Sequence, residues 1–197
     1  VFQLNLWSLA PLIALEMMIG LLIGFFASLP FVGVQMGGLL MGQQMGLGFV
    51  NFYNPASDSD ADLLGQILFF MALAGFLMIG GLDAIVYGLL QTFQHIPIGT
   101  FALGEETVTV ILSLLLAACE MALRIAAPVL AIIFLQSFAM GFVAKTVPQL
   151  NILSLGFPLR ILIGLIILIA GLVVVDEVIL EGMDSMLGTL MSWVKGQ

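Results

Sequence analysis

Charged residues are scarce in this chain of 197 residues, and cationic ones are the scarcest. Only 8% of the residues are charged, with four Lys or Arg and twelve Asp or Glu, whereas 62% are hydrophobic. A soluble domain carries about 25% charged residues, so a soluble monomer is excluded. Intrinsic disorder requires low hydrophobicity and is excluded too. The net charge of −8 argues against nucleic acid as a partner, because phosphate binding requires clustered Lys and Arg.

Residues that bind metals or act as nucleophiles are almost missing as well. The chain has one histidine and one cysteine, Cys119, which excludes an intramolecular disulfide and a His/Cys metal cluster of the usual spacing. Neither a Gly-x-Ser-x-Gly motif nor a phosphate-binding loop occurs. We therefore predict that the protein is not an enzyme and binds no cofactor or metal. Because Cys119 lies in an apolar run, we expect it to be a small buried hydrophobic residue.

Long apolar runs dominate what is present. A helix that spans a bilayer core of about 30 Å needs about 20 apolar residues. The runs are 12–29, 31–50, 63–90, 108–143 and 161–175. Pro30 is expected to end the helix of the first run. A straight helix over 108–143 would be about 54 Å long, so either Pro128 folds it into a hairpin or it projects beyond the membrane. Hairpins and broken helices are favoured, with loops over 51–62, 91–107 and 145–160.

The segment from Asp176 onward is amphipathic. Its acidic residues fall on one helical face and its apolar residues on the other; the acids are Glu177, Glu181 and Asp184, and the apolar residues are Ile179, Met183, Met186 and Leu190. The sequence therefore predicts an all-α, membrane-associated fold, and its length suits one compact helical unit. The few cations would place the loop that holds Lys145 and Arg160 in the cytoplasm.

Glycines recur at four-residue spacing in the first third of the chain. The pairs are Gly20–Gly24 and Gly33–Gly37, and a longer ladder joins Gly38, Gly42 and Gly46; the nearby glutamines are Gln35, Gln43 and Gln44. Glycines on one face allow two helix backbones to approach closely. The contact is either internal to this chain or made with partner subunits or a pore. Methionines in the same stretch, among them Met41 and Met45, fit a seam or ordinary apolar packing.

Four charged residues lie inside apolar runs: Glu16, Asp83, Glu120 and Arg124. A charge at the middle of a bilayer costs about 2.5–3.5 kcal/mol, so each should face protein or water. Glu120 and Arg124 have the favourable i, i+4 order for an ion pair. Asp83 is expected to contact a partner helix, with an ion or proton site as the alternative. A small secondary transporter or ion channel with Glu16, Asp83 and Glu120 as ligands is therefore the second functional hypothesis.

Several strings in the sequence resemble the FliR family of export-gate proteins. Glu16-Met-Met-Ile-Gly-Leu-Leu-Ile-Gly-Phe25 is similar to the Glu-x-x-Ile-Gly-x-x-x-Gly-Phe signature of that family. Four other strings follow in the family's order. The first two are 46–55, with Asn54-Pro55 at its end, and 92–99, with Pro97-Ile-Gly99 at its end. The last two are the motif loop of Pro148, Gln149 and Asn151 and the string Gly156-Phe-Pro-Leu159. Many members have Arg where this chain has Lys145 and His where it has Asp83. Members also begin with further apolar segments, so we expect residues to be missing before Val1.

The resemblance implies a single FliR-like domain over 1–197, with long, broken helical hairpins similar to a fusion of FliP and FliQ. Such proteins join FliP-like and FliQ-like subunits in a helical, hetero-oligomeric cone at the bacterial inner membrane, at the flagellar basal body or in a related type III secretion system. FlhB-like and FlhA-like components are further implied partners, and unfolded secreted proteins are the implied cargo. The loop that plugs the closed channel corresponds to Phe49, Val50, Asn51, Phe52 and Tyr53. The glycine ladder and Gln43 and Gln44 are expected to pack helices or line the pore.

Overall fold

The structure is all helical in the part of the chain that it describes. It is a computed structural model that describes residues 6–47, 62–99, 101, 104–146 and 152–196. Six α-helices follow one another: α1 (Leu6–Met45), α2 (Leu63–Met78), α3 (Gly81–His95), α4 (Glu105–Thr146), α5 (Ile152–Ala170) and α6 (Leu172–Gly196). The described residues contain no strand. The prediction of an all-α fold is confirmed.

Helix α1 runs for 40 residues and passes through Pro30 without ending. The prediction that Pro30 stops this helix is therefore wrong. A proline inside a helix lacks one N–H donor and costs about 3 kcal/mol in isolation. Pro30 is buried in the packing of α1 against its neighbours, as are Leu29 just before it and Val34 one turn later. Tertiary packing on both sides of the proline thus offsets the lost hydrogen bond.

Helix α4 has 42 residues and also passes through its proline, Pro128. Its length is about 63 Å, twice the thickness of a bilayer core. Of the two alternatives for this run, the hairpin at Pro128 is wrong and the over-long helix is correct. The buried residues on either side of Pro128, Ile125 and Val129, continue one apolar face through it, so the packing favours a continuous helix.

The helix breaks occur at glycines instead. Helices α2 and α3 are bent by 64° at a break that contains Gly80, whose φ of 73° lies in the left-handed region. Helices α5 and α6 are bent by 62° at Gly171. At Gly80, glycine adopts the left-handed conformation without the steric cost that a Cβ brings, whereas Gly171 has no positive φ. The expectation of broken helices is confirmed at these two positions.

The predicted loops are shorter in the structure than in the sequence analysis. Helix α3 continues to His95, and α4 begins at Glu105. Lys145 belongs to the last turn of α4, and Arg160 lies inside α5, together with Pro158. The prediction of a loop over 145–160 is therefore wrong at both of its ends. Both helices therefore extend further into this segment than its composition predicted.

Helices α1 and α4 form the centre of the molecule, with α2 and α6 packed around them. A Cβ at Gly33 would lie 2.8 Å from the Ala118 carbonyl oxygen, and one at Gly37 would lie 3.0 Å from that of Ala122. These two glycines therefore bring the backbone of α1 against that of α4. One cluster of buried apolar side chains, from Ile19 to Val194, includes residues of five of the six helices, and α3 contributes the partly buried Ala84 and Ile85.

Two of the helices, α1 and α4, are long and apolar enough to cross a membrane, and each bent pair would add one more span. The outer surface is apolar as well, with large side chains such as Leu116, Ile169 and Val173 mostly exposed. Contiguous exposed apolar surface marks contact with a membrane or with partner proteins. The fold is that of a membrane protein.

Two side-chain predictions had opposite outcomes. Helix α6 buries the four apolar residues of its predicted face and exposes the three acids Glu177, Glu181 and Asp184, as its amphipathic pattern indicated. Cys119, by contrast, is exposed. Ala118 and Met121, its neighbours along α4, occupy the buried face, so Cys119 points outward although the run around it is apolar.

Candidate functional site

The segment expected to plug a channel, Phe49–Tyr53, lies outside the described residues, but both of its flanking helix ends are described. Helix α1 ends at Met45 and is followed by Gly46, whose φ is 85°. Helix α2 is capped by Asp62, whose Oδ1 accepts a hydrogen bond from the Gly65 N–H at 3.0 Å. A left-handed glycine after a helix and a carboxylate before one are both strong terminal signals. The segment therefore connects two sharply defined helix ends.

The backbones of α1 and α2 touch at Gly38 and Gly65. A Cβ at Gly38 would lie 2.5 Å from the Gly65 nitrogen and closer still to its Cα. Four residues later, a Cβ at Gly42 would be in ordinary contact, 4.0 Å from Leu64 Cδ1. The three glycines of the predicted ladder thus have three roles: a backbone crossing at Gly38, loose packing at Gly42 and a helix end at Gly46.

The last turns of α1 have one buried and one exposed face. Met41 and Met45 are fully buried. The Met45 side chain packs on Gly164 of α5, where an added Cβ would lie 2.6 Å from Met45 Cε. Gln43 and Gln44 are exposed. The methionines are therefore core residues, whereas the two glutamines remain available to water or to another chain.

Glu16 joins two of the strings on which the family resemblance rests. The Gly99 N–H donates a hydrogen bond to Glu16 Oε1 at 3.3 Å, although the two residues are 83 positions apart. Gly99 has a φ of 79°, and a Cβ there would overlap the Leu12 side chain of α1. This embedded charge therefore faces protein, as expected, and it anchors the connection that follows α3 onto α1.

Replacing Gly99 with alanine is expected to lower the free energy of unfolding by about 1–3 kcal/mol, because the left-handed backbone and the Leu12 contact both oppose a Cβ. Thermal unfolding in a mild detergent measures the change. Gly188 on α6 provides the control, since a Cβ there meets nothing within 4 Å. An equal stability of the G99A and G188A variants would contradict this role for Gly99.

The ion pair of Glu120 and Arg124 is confirmed on α4. Arg124 Nη2 lies 2.6 Å from Glu120 Oε1, and both side chains are more than half exposed. The pair borders a cleft of about 220 Å³ between α4 and α6, to which Glu181 also contributes. An exposed pair contributes little to stability in water, so its position on the outer surface makes it available for contacts outside this chain.

Asp83 is exposed in the first turn of α3, three residues after the left-handed Gly80. A carboxylate near a helix N-terminus is stabilised by the helix dipole. Asp83, Glu16 and Glu120 lie on three different helices. Over the described ranges, no three His, Cys, Asp or Glu residues group around a common metal position, so the structure does not bring together the carboxylates that the transporter hypothesis requires.

Gly20 and Gly24 differ from the other glycines of α1. A Cβ at either position would meet nothing within 4 Å, and both residues are exposed. The large side chains beside them, Ile13, Met17 and Leu21, are also exposed. The two alternatives for the glycine pairs therefore apply to different pairs: Gly33–Gly37 packs inside this chain, and Gly20–Gly24 forms an open face.

The predicted motif loop is described only at its edge. Lys145 is exposed in the last turn of α4, whereas Pro148, Gln149 and Asn151 lie outside the described residues. Sequence reasoning missed the contact across this connection, in which Arg160 Nη2 donates to Ser137 Oγ at 3.0 Å. It also missed the buried Trp193–Thr107 hydrogen bond. Neither pair has a local spacing that would have revealed it.

The helical fold and the long apolar helices are those of a membrane protein. The family described as "Bacterial export proteins, family 1" matches residues 1–186, and the chain belongs to that family.

Three curated relatives illustrate the match. The chain is 32% identical over 167 residues to "Flagellar biosynthetic protein FliR" of Bacillus subtilis (strain 168), which covers 83% of this chain and 64% of the relative. It is 30% identical over 155 residues to the protein of the same name in Escherichia coli (strain K12), covering 79% and 59%. It is 27% identical over 169 residues to "Yop proteins translocation protein T" of Yersinia pestis, covering 85% and 65%. The chain thus spans about three-fifths of the length of these relatives.

Proposed function

We propose that this protein is a non-enzymatic subunit of a flagellar type III protein export gate in the bacterial inner membrane. In this role it assembles with FliP-like and FliQ-like subunits into the cone that forms the secretion channel, through which unfolded proteins pass. The names of the relatives support an export role, since they include both flagellar biosynthetic and translocation proteins. The observation that carries the assembly role is the open Gly20–Gly24 face on α1.

This open face has the properties of a helix-packing surface. Two glycines one turn apart lie on it with no neighbour inside the described chain, and exposed apolar residues flank them. Close backbone approach at such pairs drives helix association in membranes, where no hydrophobic force acts between helices. The other close pair on the same helix, Gly33–Gly37, already has its partner in α4. We infer that Gly20–Gly24 receives a helix of another subunit.

Leucines at both Gly20 and Gly24 are expected to leave the chain folded but to abolish its recovery with partner subunits. The leucines meet open space in this chain and block the approach of a second backbone. The measurement is the composition and native mass of the tagged, full-length protein, extracted gently from the membranes of its own host. Partner recovery should fall by at least tenfold, whereas the G188L control should retain it.

The outcome also tests the export function itself. If the unaltered protein is recovered as a monomer or homo-oligomer, the export-gate proposal is wrong. If it is recovered with FliP-like and FliQ-like chains and the G20L/G24L variant is too, only the assignment of this face fails.

We further propose that Phe49–Tyr53 plugs the channel of the closed gate. The connection that contains the segment begins after α1 ends at Met45 and ends before α2 begins at Leu63, and Gln43 and Gln44 are exposed in the last turn of α1. Three bulky aromatic residues, Phe49, Phe52 and Tyr53, lie close together in this segment, and side chains of this size are suited to obstructing a narrow pore. Deleting Phe49–Tyr53 is expected to leave assembly intact and to make the membrane leak small ions, which single-channel or liposome conductance measures.

The deletion needs a control of equal length that keeps the aromatic residues. Removal of five residues from 56–60, in the same connection, shortens it without removing Phe49, Phe52 or Tyr53. The control complex should remain closed. Equal conductance of the intact complex and of a Phe49–Tyr53 deletion complex shown to be assembled would refute the plug.

A further inference from the structure

An aromatic stripe on the last third of α4 ends at a lysine. Phe134, Phe138 and Phe142 are spaced by four residues, and their exposed fractions lie between 57% and 72%. The first two rings pack edge to face at a centroid distance of 4.8 Å. The three residues border an open groove of about 380 Å³, which Lys145 closes at the end of the helix. From Phe134 to Phe142 the groove extends about 12 Å along the helix.

A second cavity adjoins this groove and carries the other cation of the region. Its volume is about 290 Å³, and it shares Ser137 and Gly141 with the groove. Arg160 lines it and donates to Ser137 Oγ from α5. Two of the four cations of the chain therefore flank one composite site. Within the part of the chain that the structure describes, neither Lys145 nor Arg160 lies within salt-bridge distance of a carboxylate.

Gln136 adds a polar group whose hydrogen bonding is incomplete. Its side chain lines the second cavity and is about nine-tenths buried. Its Oε1 atom has no hydrogen-bond partner among the described residues. A buried carbonyl oxygen without a donor is unfavourable, so a ligand that supplies a hydroxyl donor at this cavity would remove that penalty.

We propose that this composite site binds an anionic phospholipid with a hydroxyl-bearing headgroup. One acyl chain lies along Phe134, Phe138 and Phe142, the phosphate lies between Lys145 and Arg160, and a headgroup hydroxyl donates to Gln136. The proposal does not depend on the export function. Charge and shape both favour a lipid over a helix of another protein, because an apolar helix would fill the groove and leave the two cations without an anion. A phospholipid supplies the apolar chain and the negative charge in one molecule.

The test measures how much phosphatidylglycerol and phosphatidylcholine the full-length protein retains. The protein is isolated from membranes in a mild detergent with its bound subunits, each lipid is titrated in, and native mass spectrometry counts the bound molecules. Phosphatidylglycerol should be retained at least tenfold better than phosphatidylcholine.

The K145Q/R160Q variant should lose that preference, whereas R124Q/K195Q, which removes the same number of charges elsewhere, should keep it. Because Arg160 also bonds to Ser137, the K145R/R160K variant tests charge alone and should keep the preference as well.

A second substitution separates a lipid from a free phosphate ion. A Cβ at Gly141 meets open space, so leucine there fills the groove without disturbing the helix. The G141L variant should retain at least fivefold less phosphatidylglycerol, while G188L should be unaffected. Equal retention of the two lipids by the unaltered protein would overturn the proposal. Displacement of phosphatidylglycerol by millimolar inorganic phosphate, or a photo-crosslink from position 138 to another protein instead of to lipid, would overturn it too.

Discussion

Replacing Gly38 with alanine is expected to lower the free energy of unfolding by about 2 kcal/mol, although alanine is the better helix former. The added methyl group would lie 2.5 Å from the Gly65 nitrogen, and a backbone atom cannot rotate away as the end of a flexible side chain can. Overpacking of this kind costs about 1–3 kcal/mol, and we expect the upper end of this range at a backbone contact. The higher helix propensity of alanine offsets up to about 1 kcal/mol of that cost. Helix α2 must therefore move away from α1.

Gly42 provides the matched control one turn later on the same helix. A Cβ there meets only Leu64 Cδ1 at 4.0 Å, so alanine should be neutral or stabilise the protein by up to about 1 kcal/mol. Unfolding by a denaturing detergent, followed by the loss of helical circular dichroism, should separate the two variants by about 2–3 kcal/mol. Indistinguishable midpoints would show that α1 and α2 do not cross at Gly38.

At the candidate site, the spacing of the glycines predicted close helix packing but not the partner of each pair. A four-residue spacing predicts that a helix face permits close packing, and this prediction is confirmed at Gly33 and Gly37. The same spacing says nothing about which helix arrives there. Gly20 and Gly24 have the same pattern and face open space. Their different surroundings follow from tertiary packing, which places Ala118 and Ala122 opposite only one of the pairs.

The ends of the helices were predicted less well than their existence. Local propensity places a helix end before a proline, yet Pro30 and Pro128 both lie inside long helices. The bends occur at Gly80 and Gly171, neither of which was predicted as a helix break. In a chain this apolar, packing along a continuous helix face outweighs the loss of one backbone hydrogen bond, and only a change of backbone conformation ends the helix.

Patterns that depend on residues of one helix were predicted correctly. The Glu120–Arg124 pair and the amphipathic face of α6 each follow from a spacing of three or four residues, and the structure confirms both. Contacts between distant segments left no such pattern. The hydrogen bond from Gly99 to Glu16 and the pairing of Arg160 with Ser137 join residues that are 83 and 23 positions apart.

Replacing Trp193 with alanine is expected to destabilise the protein by about 3–5 kcal/mol, the usual cost of emptying a large aromatic site in a core. The indole of Trp193 is only 2% exposed. It packs edge to face on Phe26 of α1 at a centroid distance of 5.3 Å and on Phe101 at 6.3 Å. Its Nε1 donates to Thr107 Oγ1 of α4 at 3.3 Å. One side chain therefore ties the last turns of α6 to two other helices.

The W193F variant separates packing from hydrogen bonding, because phenylalanine keeps an aromatic ring and removes the donor to Thr107. It should cost about 1–3 kcal/mol, clearly less than W193A, in the same denaturing-detergent titration. A W193A variant within 1 kcal/mol of the unaltered protein would show that the end of α6 is not part of the core. Trp193 lies beyond residues 1–186, which the family matches, yet its ring packs on Phe26 of α1. The expected loss would therefore mean that the stability of the family-matched helices depends on a segment outside the match.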